Sequence, residues 1–255
     1  MGLHLVIFVA AGAMIYLGIY RGVPKLVDRG VPLIYAFFGF LWAPVFLLLP
    51  LALALFTRLE GGILSPEALA GRFRLAPITG SQWIWVGAAV LLTVLSEQAL
   101  EGLGRRLARI PLLAPPAYLP APFNPLCDLE IPPRRFFGVP LRGNWRLIVV
   151  FVPMHLVAMF AEEMMWRGYM LPIQEAIFGP WAWVINGLLW AWIVHALLKW
   201  HFVGMLPGML AAPLVAQVTG STWASFIAHA VPNSLLWVLL LLGILGIGDD
   251  DGDGE

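Results

Sequence analysis

Charged residues are scarce in this sequence. Only 12% of its 255 residues are Asp, Glu, Lys or Arg, and 60% are hydrophobic, whereas an ordinary soluble domain has roughly 25% charged residues. This balance excludes a soluble globular protein and is typical of a polytopic membrane protein. The 15 Lys and Arg residues equal the 15 Asp and Glu residues in number, so no basic surface predicts a nucleic acid partner.

Cysteine is nearly absent as well. The single Cys127 excludes an intramolecular disulfide framework, and a lone cysteine is a weak candidate for a nucleophile. We therefore expect Cys127 to be structural.

Long apolar runs fill most of the chain. A run of about 20 apolar residues is long enough to cross the hydrocarbon core of a bilayer as a helix. The pattern predicts an all-α fold, a polytopic transmembrane bundle of about seven to eight spans with kinked helices around an intramembrane cavity and no β-sheet. The runs lie near residues 3–20, 32–56, 82–100, 181–198, 202–219 and 222–247, with a further segment that starts at about Trp145.

Three regions are expected along the chain. Residues 1–144 hold the N-terminal spans and a Pro-rich basic loop, 145–248 form a catalytic helical core, and 249–255 form an acidic tail that we expect to be disordered. Because of its prolines, the loop at 101–145 is predicted to be an extended strap that links two spans.

The basic loops predict an orientation. Arginine and lysine in loops 21–30 and 101–145 place both on the cytoplasmic side, and the N-terminus outside. Loop 57–81 also carries arginines although it should lie outside, and this weakens the prediction.

Two adjacent glutamates and an arginine stand out in the C-terminal half. Glu163 and Arg167 are four residues apart with the acid first, the favourable order for an ion pair on a helix. Glu162 is then an acid without a partner at membrane depth, where a charge costs at least about 2.5–3.5 kcal/mol. Such a carboxylate suits a general base or acid. Alternatively, the three residues form a buried ionic link between helices.

Further proton-handling groups lie on later spans. His229 and Asn233 are four residues apart, with Pro232 between them, so they project from one face of a kinked helix. His195 is alone on its span, and a solitary buried histidine is more often a hydrogen-bonded core residue than a catalyst. For Glu162 and His195 to lie at one depth, we expect a kink near Pro172 and less than about 8 Å between the two side chains.

The order of these residues resembles the three motifs of the CPBP intramembrane proteases, which include the type II CAAX prenyl endopeptidases and bacteriocin-processing or self-immunity proteins. The resemblance covers about residues 145–247 and rests on the Glu162-Glu163-x-x-x-Arg167 segment, the His195 span and the His229-x-x-x-Asn233 segment. The second motif departs from the family, which has Phe four residues before its His. Ala191 stands there in this chain, between Trp190 and Trp192.

The resemblance implies peptide-bond hydrolysis within a membrane, near the C-terminus of a prenylated or otherwise membrane-bound substrate. Glu162 with His195 would activate a water, and His229 with Asn233 would stabilise the oxyanion. The pair of Glu163 and Arg167 would orient Glu162. Glutamate with two histidines could ligate zinc, but no His-Glu-x-x-His sequence is present, so we prefer a mechanism without a cofactor.

The implied protein is a multi-pass enzyme of a bacterial inner membrane, with lipid and a membrane-bound peptide as its partners. Two other classes stay open at this point. The chain could be a non-catalytic scaffold, assembly or immunity subunit of a larger membrane complex. It could also be a proton-coupled carrier, although the paired broken helices of transporters are lacking.

Overall fold

The structure is a computed structural model and describes residues 2–247. The predicted acidic tail at 249–255 lies outside the described residues. In the N-terminal half, α1 continues through a π-helical turn, Gly18–Gly22, into α2, and four further helices follow before the Pro-rich loop. The helices of this half are α1 Gly2–Leu17, α2 Val23–Val27, α3 Leu33–Phe46, α4 Leu48–Leu59, α5 Pro66–Arg72 and α6 Gln82–Leu107.

The C-terminal half contains the helices that carry the candidate residues. Two π-helical segments interrupt it, Met164–Met170 after α7 and Trp190–Val194 after α9. Short 3-10 helices follow at Gly179–Trp181 and Ala196–His201. The α-helices are α7 Trp145–Glu163, α8 Leu171–Phe178, α9 Ala182–Leu189, α10 Leu206–Thr219 and α11 Thr222–Leu245.

The protein is an integral, multi-pass membrane protein, as predicted. Within residues 2–247, five helical stretches are long and apolar enough to cross a membrane, against the seven to eight spans expected. One stretch, Trp145–Val194, has 50 residues, more than twice the crossing length, and the chain turns within it at Gly179, whose φ is +55°. Leu206–Thr219 is apolar but shorter than the other stretches. The lower count thus reflects two helices counted as one and a short helix.

The Pro-rich loop differs from the expected strap. It contains a two-residue antiparallel β-ribbon, β1 Arg135–Phe136 and β2 Val139–Pro140, so the expectation of no β-sheet was wrong at this point. Phe136 and Phe137 are buried and pack on the aromatic rings of α3 and α7. Burial of these rings stabilises the loop against the bundle, and the short strands satisfy each other's backbone groups there.

Two of the three arginines in loop 57–81 form ion pairs. Arg72 donates two hydrogen bonds of 2.7 Å to Glu60, and Arg74 donates two of 2.8 and 2.5 Å to Glu175. The arginine hydrogen bonds hold the pKa of Glu60 below its usual range. These partners neutralise two of the three positive charges that weakened the predicted orientation.

Close helix contacts fix the elements around the site. A Cβ on Gly12 of α1 would lie 2.1 Å from the Ile193 carbonyl oxygen, and one on Gly187 of α9 would lie 2.7 Å from the Met209 oxygen. Only glycine allows these two approaches. They seat the π-helical turn Trp190–Val194 between α1 and α10.

The start of α11 is also fixed. Ser221 caps the helix by accepting a hydrogen bond from the Ala224 N–H. Thr222 and Trp223 donate side-chain hydrogen bonds of 2.7 and 3.1 Å to backbone carbonyls of the segment after α5. Because α11 packs against α6, α7 and α10, these contacts set which of its residues face α7.

Candidate active site

Glu162, Glu163 and Arg167 lie where α7 passes into the π-helical segment Met164–Met170. Glu162 is 6% exposed, and the other two residues are fully buried. The expected ion pair is present, with 3.3 Å between Arg167 Nη1 and Glu163 Oε1. Three charges therefore lie in the protein interior within two helical turns.

Glu163 is held from α11 as well. Ser225 Oγ donates a 2.5 Å hydrogen bond to Glu163 Oε2, and His229 Nδ1 lies 3.0 Å from Glu163 Oε1. The sequence did not predict that His229 contacts this glutamate. Ser225 was missed, although it precedes His229 by four residues and therefore shares its helix face.

The guanidinium of Arg167 lies over the ring of Trp190, 3.8 Å from the centroid. None of its three nitrogens makes a hydrogen bond with the part of the chain that the structure describes. Charge attraction to Glu163 and the face of the ring thus hold this side chain in place.

Trp190 is the central residue that sequence reasoning did not select. Its indole N–H donates a 3.1 Å hydrogen bond to Glu162 Oε1. The ring is edge-on to His195, at 5.2 Å between centroids, and to His229, at 4.9 Å. Trp190 therefore links the residues predicted on three separate helices.

His195 ends the π-helical turn that begins at Trp190. Its backbone N–H donates a 3.1 Å hydrogen bond to the Trp190 carbonyl oxygen, and its Nδ1 lies 3.2 Å from the same oxygen. If Nδ1 carries the proton, Nε2 is left as an acceptor. Trp190 contacts both Glu162 and His195, so the structure brings this pair into one region.

Asn233 lies on α11, one turn after His229. Its Nδ2 donates a 3.0 Å hydrogen bond to the His229 carbonyl oxygen. A side-chain amide has two N–H donors, so one remains for another acceptor.

His155 shares a face of α7 with Glu162 but does not join this group of residues. It accepts a 3.0 Å hydrogen bond from Trp237 and belongs to a separate aromatic cluster.

The helix containing Glu162 is interrupted earlier than predicted. The expected position was near Pro172, but the α-helical pattern changes at Met164–Met170. Pro172 lies at the start of α8 and has no N–H to donate. The carbonyl oxygen of Gly168, four residues earlier, accepts a 3.1 Å hydrogen bond from Arg72 instead. The chain then turns at Gly179, and Trp190 and His195 return to the level of Glu162.

Metal-ligating side chains are not clustered in the described part of the chain. Within residues 2–247, no three His, Cys, Asp or Glu side chains are grouped so that they could hold a metal ion. That the protein works without a cofactor stays a prediction, and so does the alternative of zinc on Glu162, His195 and His229.

A cavity opens beside His195. Its volume is about 310 Å³, and mainly apolar side chains line it. The lining also includes His195 and Lys199, which supply the polar groups, together with Leu113, Ala191, Trp192 and Phe202. An apolar cavity with few polar groups is the usual form of a small binding site.

Comparison with known families adds a decisive observation. Residues 144–235 match the family model described as type II CAAX prenyl endopeptidase Rce1-like. The match supports membership of the CPBP family for this segment. The segment includes Glu162, Glu163, Arg167 and all the other residues brought together above. The family is one of membrane-embedded proteases, so the match supports a peptidase acting on a membrane-bound substrate. No match was found among the curated proteins or the solved structures.

The matched segment covers less than half of the chain. The division into 1–144, 145–248 and 249–255, the individual roles of the site residues and the bacterial inner membrane location stay predictions.

Proposed function

We propose that this protein is an intramembrane endopeptidase in which Glu162 activates a water molecule. The observation that carries the proposal is the contrast between two adjacent carboxylates. Glu163 has Arg167, Ser225 and His229 as partners. In the described part of the chain, the carboxylate of Glu162 accepts one hydrogen bond, from a neutral indole. An incompletely paired carboxylate beside a histidine suits a general base.

The reaction proceeds in two steps. Glu162 takes a proton from water, which His195 Nε2 helps to orient, and the resulting hydroxide attacks the scissile carbonyl carbon. The oxyanion that forms accepts hydrogen bonds from His229 Nε2–H and from the free N–H of Asn233. Collapse of this intermediate breaks the C–N bond, and Glu162 passes its proton to the leaving amine.

Glu163 supports this chemistry indirectly. Its carboxylate accepts a hydrogen bond from His229 Nδ1 and so orients the ring. The oxyanion role of His229 requires a proton on Nε2 as well, so it requires both ring nitrogens to be donors. Arg167 offsets the negative charge of the carboxylates. The proposed substrate is a membrane-bound peptide, cut near its C-terminus, with apolar groups in the cavity beside His195.

The test uses the purified protein in proteoliposomes and fluorogenic peptides in farnesylated and unmodified forms. Glu162→Gln keeps the shape of the side chain but cannot take up a proton, so we expect hydrolysis to fall by about 10³-fold while thermal unfolding is little changed. The farnesylated peptide should be cut faster. Hydrolysis by Glu162→Gln at the wild-type rate would exclude Glu162 as the base.

A further inference from the structure

We propose that Trp190 is a positioning residue for the proposed reaction, in which its indole N–H holds the carboxylate of Glu162 and its ring face holds Arg167. The side chain is 2% exposed and contacts both groups, at 3.1 Å and 3.8 Å respectively. The inference rests on the proposed function, since it assigns how the general base is held.

The two contacts have no substitute nearby. The indole N–H is the donor to Glu162 within residues 2–247, and the nitrogens of Arg167 make no hydrogen bonds there. Without the indole ring, Arg167 would keep only its attraction to the glutamates. Without the indole N–H, the carboxylate of Glu162 would be free to rotate away from the position in which it meets a water.

The π-helical turn explains how a tryptophan comes to this position. A π-helix pairs each residue with the fifth one along the chain, as the Trp190 carbonyl pairs with His195 N–H. Trp190, five positions before His195, therefore lies one turn below it. In an α-helix this place would belong to Ala191, four positions before His195, but here Ala191 lines the cavity. A phenylalanine in place of Trp190 would provide the ring but not the donor.

The test separates the donor from the ring. Trp190→Phe keeps an aromatic face and removes the N–H, and Trp190→benzothienylalanine keeps the bicyclic ring and replaces the N–H by sulfur. The matched control is Trp223→Phe, because Trp223 also donates its N–H at 3.1 Å, to the Leu75 carbonyl, away from the site. Peptide hydrolysis is measured against pH, and unfolding temperature is measured for each variant.

Loss of the donor should lower kcat by about 10- to 100-fold, the usual weight of a hydrogen bond to a charged group. KM should stay unchanged, because Trp190 is not among the residues that line the cavity. The pH dependence of kcat should change as well, because the donor contacts the proposed base directly. The other ionisable groups of the site, Glu163, Arg167, His195 and His229, are unchanged in these variants.

Each outcome decides between the two proposals. Wild-type kcat and pH profile in the benzothienylalanine variant would overturn the role of Trp190, even if Trp190→Phe does not fold. A lower unfolding temperature with an unmoved pH profile would assign Trp190 a structural role only. If Glu162→Gln cleaves as fast as the wild type, the proposed function fails first, whatever Trp190 does.

Discussion

The surroundings of Glu162 and Glu163 differ although the two residues are adjacent on α7. Glu163 contacts an arginine, a serine and a histidine and is fully buried. Glu162 contacts the indole of Trp190, whose ring also contacts that of His195. Because consecutive residues of a helix point about 100° apart, one carboxylate meets α11 and the other meets the turn after α9. In the proposed mechanism, the carboxylate on one side of α7 stabilises the fold, and the carboxylate on the other side acts as the base.

The difference between the two glutamates predicts that substitution of Glu163 lowers stability the most. Glu163→Ala leaves Arg167 buried without its partner, which should lower the free energy of unfolding by about 3–5 kcal/mol. Arg167→Ala should cost a similar amount for the same reason. Chemical denaturation in detergent micelles measures both.

The matched control for this prediction is Glu162→Ala. It removes a carboxylate of equal size that accepts one hydrogen bond, from the indole of Trp190, and has no ion-pair partner among the described contacts, so its cost should be about 1–2 kcal/mol. Equal losses of stability at the two positions would contradict the assignment of different roles to them.

A smaller effect, on activity, is expected at Asn233 of α11, which belongs to the proposed catalytic residues together with Glu162. Asn233→Ala removes one donor to the oxyanion, so kcat should fall by about 10²-fold while KM changes little. Ser234→Ala is the control, because this neighbour donates a hydrogen bond to Val231 on the exposed side of the same helix. A loss of activity in both variants, or in neither, would argue against the oxyanion role.

The ion pair of Glu60 with Arg72 lies outside the long apolar helices. We expect it to contribute little to the free energy of unfolding. Hydrogen bonds from Arg72 hold the pKa of Glu60 below its usual range. The pair therefore contributes its stability above the pKa of the unfolded chain, and the contribution is lost as pH falls through the lower folded value.

At this surface position we expect at most about 1 kcal/mol. The measurement is the pH dependence of unfolding for Glu60→Gln against wild type, with Glu101→Gln as control because its pair with Arg105 is more exposed. If Glu60→Gln lowered the free energy of unfolding by several kcal/mol, Glu60 would be as important for stability as Glu163, and this expectation would be wrong.

Chelation should have the smallest effect. If Glu162 activates water without a metal, incubation with a strong chelator leaves peptide hydrolysis unchanged. Loss of activity that added zinc restores would favour the zinc alternative and would give Glu162 a ligand role.

Sequence reasoning foresaw the class of fold because hydrocarbon forces long apolar helices. It also foresaw the pairing of Glu163 with Arg167, since four-residue spacing places two side chains on one helix face. Both inferences depend on local regularity, and they hold where the chain is regular.

The remainder depends on irregular backbone and on contacts between distant segments. The π-helical turns at Met164–Met170 and Trp190–Val194 have no sequence signature, so the relation of Trp190 to His195 could not be read from α-helical spacing. The contact of His229 with Glu163 requires the packing of α11 on α7. Ser225 could have been predicted from the sequence, because it lies four residues before His229, just as His229 lies four residues before Asn233.

The central claim is that Glu162, His195, His229 and Asn233 act on one peptide bond from opposite sides. The most direct measurement is an experimental structure with a peptidyl trifluoromethyl ketone, whose hydrate carries two hydroxyl groups in place of the water and the oxyanion. We expect one oxygen within hydrogen-bond distance, about 3 Å, of the Glu162 carboxylate and the other within the same distance of His229 and Asn233. Binding of the inhibitor away from Glu162, or both oxygens on the histidines with Glu162 turned aside, would contradict this account.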